Sequence, residues 1–101
     1  MNKGNVVKLI MTQPLSVGQM LDEKVYVCEL VSYDRQQEMV FLILNEGELK
    51  ELSLDAIYEC QIFAEEAMFQ CTGRIVERFH DTEGKKVNLR VKNGFYKINI
   101  K

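Results

Sequence analysis

A small antiparallel β-barrel is the fold this chain predicts, and three observations carry that expectation. Over residues 58–101 apolar and polar residues take turns, the period that sends successive side chains to opposite faces of a strand. Clusters of turn residues, among them Asn45-Glu46-Gly47 and Asn93-Gly94, cut the pattern into strand-sized lengths. Gly73 falls in the middle of the longest stretch, where a sheet that closes on itself must bend. The expected architecture is mostly β: a six-stranded antiparallel split barrel, one domain over residues 15–101, preceded by an N-terminal arm at residues 1–14.

Before Pro14, the only proline, Val6, Val7, Leu9, Ile10 and Met11 make a short apolar patch broken by Lys8. Residues 8–11 suit an edge strand, the usual way a terminal arm becomes ordered. Leu15, Val17 and Gly18 come next as an entry element, with Leu15 and Val17 tucked under the core and Gly18 turning the chain. Residues 25–33 are rich in β-branched and aromatic side chains (Val25, Tyr26, Val27, Val31, Tyr33) and read as a strand, ended by Asp34-Arg35-Gln36-Gln37. The apolar run from Met39 to Leu44 suits a strand covered on both faces. Leu49, Leu52 and Leu54 resume as another short strand.

Residues 55–73 satisfy two templates. As a helix, Asp55 caps it, Ile57, Cys60, Ala64, Ala67, Met68 and Cys71 share a face, and Gly73 stops it. As a hairpin, Tyr58, Cys60 and Ile62 point one way, Glu65-Glu66 form the tip, and Phe69, Cys71, Gly73 and Ile75 line one face of a second strand. The hairpin accounts for more of the residues downstream. Extended over residues 67–79, the second strand runs about 40 Å, too long to stay flat in a domain this small. The cluster His80-Asp81-Thr82-Glu83-Gly84 then turns the chain into Val87, Leu89 and Val91, which alternate with Asn88, Arg90 and Lys92. Asn93-Gly94 predicts a tight turn, and residues 95–100 a last strand with Ile98 and Ile100 on one face.

A length of 101 residues is one domain, which buries roughly 60–70% of its unfolded surface and has room for one core. At 47% hydrophobic and 28% charged residues the composition is globular, so the domain is expected to fold unaided. A net charge of −2 offers no global positive field, so nucleic acid would need a local basic patch. Cys28, Cys60 and Cys71 lie far apart in apolar segments and read as buried thiols in a reducing cytoplasm. With no C-x-x-C pair and His80 as sole histidine, neither a metal nor another cofactor is expected. The N-terminal apolar patch is too short for a signal segment or membrane span, so the chain is expected in the cytoplasm, without membrane insertion.

The order of Leu15-Ser16-Val17-Gly18, the strand at 25–33, the turn at Gly47, the strand at 58–62 and Phe69-x-Cys71-x-Gly73-x-Ile75 resembles the split-barrel domain that precedes the PilZ domain in bacterial flagellar-brake proteins. The resemblance covers residues 15–101. Where that family carries a proline between its second and third strands, this chain reads Leu44-Asn45-Glu46-Gly47. The resemblance implies a non-enzymatic module of cyclic-di-GMP or motility signalling. In that family the nucleotide motif, R-x-x-x-R followed by [DN]-x-S-x-x-G, belongs to the PilZ domain. Here Arg74-Ile75-Val76-Glu77-Arg78 spells the first half, and no second half is present before Lys101. Both arginines are expected on the polar face of the long strand, and cyclic di-GMP is not expected to bind this chain alone.

No catalytic constellation accompanies the pattern. His80 sits among Asp81 and Glu83 in a polar turn, and Glu65-Glu66 and Asp22-Glu23 are neighbours that a strand would send to opposite faces. Catalysis is not expected. Arg90, Lys92, Lys97 and Lys101 gather near the C-terminus around Phe95 and Tyr96, a combination that would suit single-stranded nucleic acid on an OB-like barrel. The plainer expectation is that Phe95 and Tyr96 close the core while the lysines keep a terminal strand soluble. The candidate interaction surface is thus Arg74, Arg78, Arg90, Lys92, Phe95 and Tyr96, with a protein partner or a second copy, joined through an edge strand, as the expected occupant.

Overall fold

Alternation becomes geometry in the computed structural model, which describes residues 1–16 and 18–99. Six strands form: β1 (Val6–Gln13), β2 (Val25–Asp34), β3 (Met39–Glu46), β4 (Ile57–Phe63), β5 (Ala67–Asp81) and β6 (Gly84–Asn99). All neighbouring pairs are antiparallel, and they close a barrel in the order β1-β2-β3-β6-β5-β4. The expected six-stranded antiparallel barrel is therefore the fold. Val17, Ile100 and Lys101, expected under the core, in the last strand and in the basic cluster, lie outside the described residues.

Two meanders, β1-β2-β3 and β4-β5-β6, make the wall. They join where β1 pairs β4 and β3 pairs β6. Exchanging one meander for the other leaves every neighbour relation intact, so the topology has an internal two-fold.

Leu15, expected under the core, is 62% exposed, and three further elements differ from expectation while the strand count stays the same. The segment before Pro14 is a full stave rather than an arm or edge strand: Val7 pairs Cys28 on one side and Ile62 on the other, and Val7, Leu9 and Met11 are buried. Without it the wall would gape between β2 and β4. Leu49, Leu52 and Leu54 do not form a strand. A 3-10 turn, Leu49–Glu51, brings Leu52 into one end of the barrel, and the Glu48 amide donates to Glu51 Oε1 at 3.1 Å. Two leucines three residues apart fit one tight turn better than a two-residue period. Asn93-Gly94 does not turn either. β6 runs straight through it, and the register pairs Gly73↔Val91, Thr72↔Asn93 and Gln70↔Tyr96 show β6 carrying one extra residue in each interval. The turn signal is spent on two bulges, which bend the strand instead of reversing it.

The ambiguous residues 55–73 adopt the hairpin. β4 and β5 pair from Ile57↔Arg74 to Phe63↔Met68, Glu65 and Glu66 are exposed at the tip, and Tyr58, Cys60 and Ile62 are fully buried. Inside, the two meanders supply Leu9, Tyr26, Leu42, Ile62, Ile75 and Leu89 among other fully buried side chains, each aliphatic contributing roughly 1.5–3 kcal/mol. The lumen is filled by its own side chains. The polar ends of the two core tyrosines are satisfied: Tyr26 donates to the Asp22 carboxylate, and the Tyr58 hydroxyl accepts the Ser53 amide at 2.9 Å. All three thiols are buried and unbridged, with Cys60 and Cys71 directly opposite each other across β4 and β5.

Candidate functional site

Three of the six candidate residues come together on the outer wall. Arg74 on β5 and Arg90 on β6 are cross-strand partners, and Lys92 lies just beyond. With Asp55, Val76 and Val91 they line a groove of about 380 Å³. A further depression of about 170 Å³ shares Asp55, Arg74 and Lys92 and adds Gln13, Pro14, Leu15 and Ile57, so the two form one continuous furrow. Its floor is aliphatic and its rim cationic.

The other three candidates are dispersed. Ile75 pairs Leu89 whereas Glu77 pairs Asn88, so β5 carries one extra residue at Val76. That bulge reverses the parity of the strand. Arg74 stays outside, opposite Arg90, but Arg78 stands opposite the buried Val87, and its Nη1 donates to the Leu49 carbonyl at 2.6 Å. The R-x-x-x-R pair, expected on one polar face, is thus divided between groove and barrel end. Phe95 turns inward and meets Tyr33 edge to face at 4.8 Å, whereas Tyr96, opposite Gln70, is 66% exposed. Only the first of the two aromatics closes the core.

Charge explains why a cationic furrow exists on an acidic chain. All fifteen Asp and Glu residues precede Gly84, and β6 itself contains Lys85, Lys86, Arg90, Lys92 and Lys97 with no acid. Lys85 pairs with Glu48, and Lys86 with Asp81 and Glu83. Among the described residues Arg74, Arg90, Lys92 and Lys97 have no such carboxylate. Arg90 finds only the Gln37 carbonyl, at 3.4 Å. Two guanidinium forks side by side are a matched donor set for a carboxylate or phosphoryl group.

Asp55 is a site residue that the sequence pattern does not reveal. It lines both parts of the furrow, takes a left-handed backbone with φ of 65°, and its amide donates to the Ile75 carbonyl at 2.9 Å. An aspartate tolerates that conformation better than most residues, but nothing in the local sequence marks it.

Chemically, the furrow can bind and orient an anion. Among the described residues, no serine, threonine, cysteine or histidine lines it. His80, Asp81 and Glu83 occupy the exposed β5–β6 tip, where the Glu83 amide and Lys86 hold the Asp81 carboxyl below its usual range. The thiols sit in the core instead: burial pushes Cys28 up to about 12, and Cys60 is raised by its hydrogen bond with Cys71 and by burial. Among the described residues, no group of His, Cys, Asp and Glu is placed to hold a metal ion, and no helix is long and apolar enough to cross a membrane. Compared with protein-family models, curated proteins and solved structures, the chain has no significant match.

Proposed function

We propose that this chain is a non-enzymatic regulatory module of cyclic-di-GMP or motility signalling, of the split-barrel kind that accompanies PilZ domains, and that it works in the cytoplasm by docking a protein partner. The observation that carries this reading is the furrow of Arg74, Arg90 and Lys92, outside a barrel whose interior is filled. Its aliphatic floor and cationic rim suit an acidic protein segment. The division of Arg74 from Arg78 favours a module that leaves the nucleotide to a partner's PilZ domain. Three protected thiols suit a reducing compartment.

A rival occupant is single-stranded nucleic acid, favoured by the same cations. It would need aromatic platforms beside the phosphate contacts, and the furrow has no aromatic lining residue.

The test has two arms. Calorimetric titration of the purified chain with cyclic di-GMP is expected to give no heat of binding, and with a short single strand of DNA only weak association at low salt. Expression of the chain in a flagellated bacterium is expected to alter swimming, and the Arg74→Glu/Arg90→Glu double variant to lose that effect. Tight DNA binding that collapses with added salt would overturn the proposal.

A further inference from the structure

The barrel wall is closed, yet half of β6 has a neighbour on one side only. β3 pairs with residues 86–90 of β6 and ends at Met39↔Arg90. β5 continues beside β6 as far as Ala67↔Asn99. Residues 92–99 therefore hold β5 along one side and, among the described residues, no strand along the other. Eight residues of strand with a free row of amides and carbonyls form a template for another extended chain.

A cavity of about 390 Å³, lined by Met1, Tyr33, Arg35, Phe69 and Phe95, lies at this end of the barrel. Phe95 belongs to the free edge itself, and its edge-to-face contact with Tyr33 leaves an aromatic wall beside it. Opposite residues of a ladder share a face. By that rule Phe69↔Lys97 faces the cavity side, while Thr72↔Asn93 and Gln70↔Tyr96 face out, the side on which Lys92 lines the furrow. A strand laid on this edge would send alternate side chains into an aromatic cavity and toward Lys92 and Arg90.

Resting on the docking role proposed above, the geometry points to a specific mode: residues 92–99 of β6 capture an extended segment of a protein partner by strand addition, and that segment alternates acidic with aliphatic residues. The charge of the edge selects this occupant over a second copy. β6 has no acid to offer the Lys92 of a twin, whereas a strand that carries its acids on the outer face meets Lys92 and the neighbouring Arg90 while its aliphatic residues enter the cavity.

The probe is a short labelled peptide of alternating glutamate and valine, read by fluorescence anisotropy against the whole chain. Binding is expected. It should weaken by about tenfold or more when every second amide of the peptide is N-methylated, because methylation removes strand donors without changing charge. It should also weaken by about tenfold in Lys92→Glu, and stay unchanged in Lys50→Glu, which alters the charge at the other end of the barrel. Equal binding of the methylated peptide would overturn strand addition while leaving the docking role of the furrow intact. A dimer in sedimentation that the peptide fails to dissociate would assign the edge to a second copy, and tighter binding of a DNA strand than of the peptide would assign it to nucleic acid. Either result defeats the inference.

Discussion

Gly73 lies against the Arg90 carbonyl so closely that a Cβ at position 73 would stand 2.3 Å from that oxygen, with Leu89 Cγ at 3.1 Å. β5 and β6 approach this tightly only because position 73 has no side chain, and the approach is what lets Val91 and Leu89 reach the core. Backbone cannot swing aside as the tip of a lysine would. Gly73→Ala should lower stability by about 2–4 kcal/mol, seen as a fall in the urea midpoint at unchanged slope. Gly94→Ala is the control. Nothing lies within 4 Å of a Cβ there, and its φ is outside the left-handed region. That variant should be neutral or more stable by up to about 1 kcal/mol, through the lost freedom of the unfolded chain.

The same pair of glycines shows what the sequence makes legible. Gly73 is expected at the bend of a long strand because a two-residue period runs on either side of it. Gly94 is expected in a reversing turn because Asn-Gly is the commonest hairpin signal. The signal is local, however, and cannot say that residues 87–91 and 95–98 share one partner, β5, rather than pairing with each other. Leu49 and Leu52 tell a similar story: their spacing of three is visible, but the plug they form depends on Arg78 arriving from β5. For the site, Arg90 and Lys92 are legible from strict alternation. The separation of Arg78 from Arg74 is not, since a bulge at Val76 leaves no mark on composition.

Arg78 and Arg74 should therefore behave differently. Arg78 donates to the Leu49 carbonyl and holds the 3-10 turn over the barrel end. Arg78→Ala should cost about 1.5–3 kcal/mol, the range for a hydrogen bond from a charged group, and should speed amide exchange at residues 51 and 52. Arg74→Ala, an exposed change, should stay within about 0.5 kcal/mol. Equal losses would mean that the parity reversal at Val76 is absent.

Alkaline pH should unfold the protein through its core. Burial raises the Cys28 thiol from 9.0 to about 12, Cys60 rises with it, and the Tyr26 and Tyr58 hydroxyls are raised first by burial. A group whose folded value lies above its unfolded value binds protons better when folded. Its stabilisation is complete below the unfolded value and is lost as pH climbs toward the folded one. Stability should hold up to about pH 8, then fall from about pH 9 by about 1.4 kcal/mol per pH unit for each such group released. Urea midpoints measured at intervals from pH 7 to 11 would show it. A thiol reagent at pH 8 should label the three cysteines only at the rate of unfolding, and immediate labelling of native protein would contradict the burial of all three.

Finally, the juxtaposition of Arg74 and Arg90 should cost the free protein stability. Like charges directly opposite in a ladder repel, and among the described residues no carboxylate stands between them in an ion pair. Arg74→Gln should raise stability by about 0.5 kcal/mol at low ionic strength, and Arg74→Glu, which places opposite charges across the pair, by up to about 1 kcal/mol. Both gains should shrink in 0.5 M salt, where screening acts over about 4 Å. Such a gain would support the docking role proposed for Arg74. If Arg74→Gln instead destabilised the chain at low salt, the pair would be structural, and the furrow would lose its standing as a docking site.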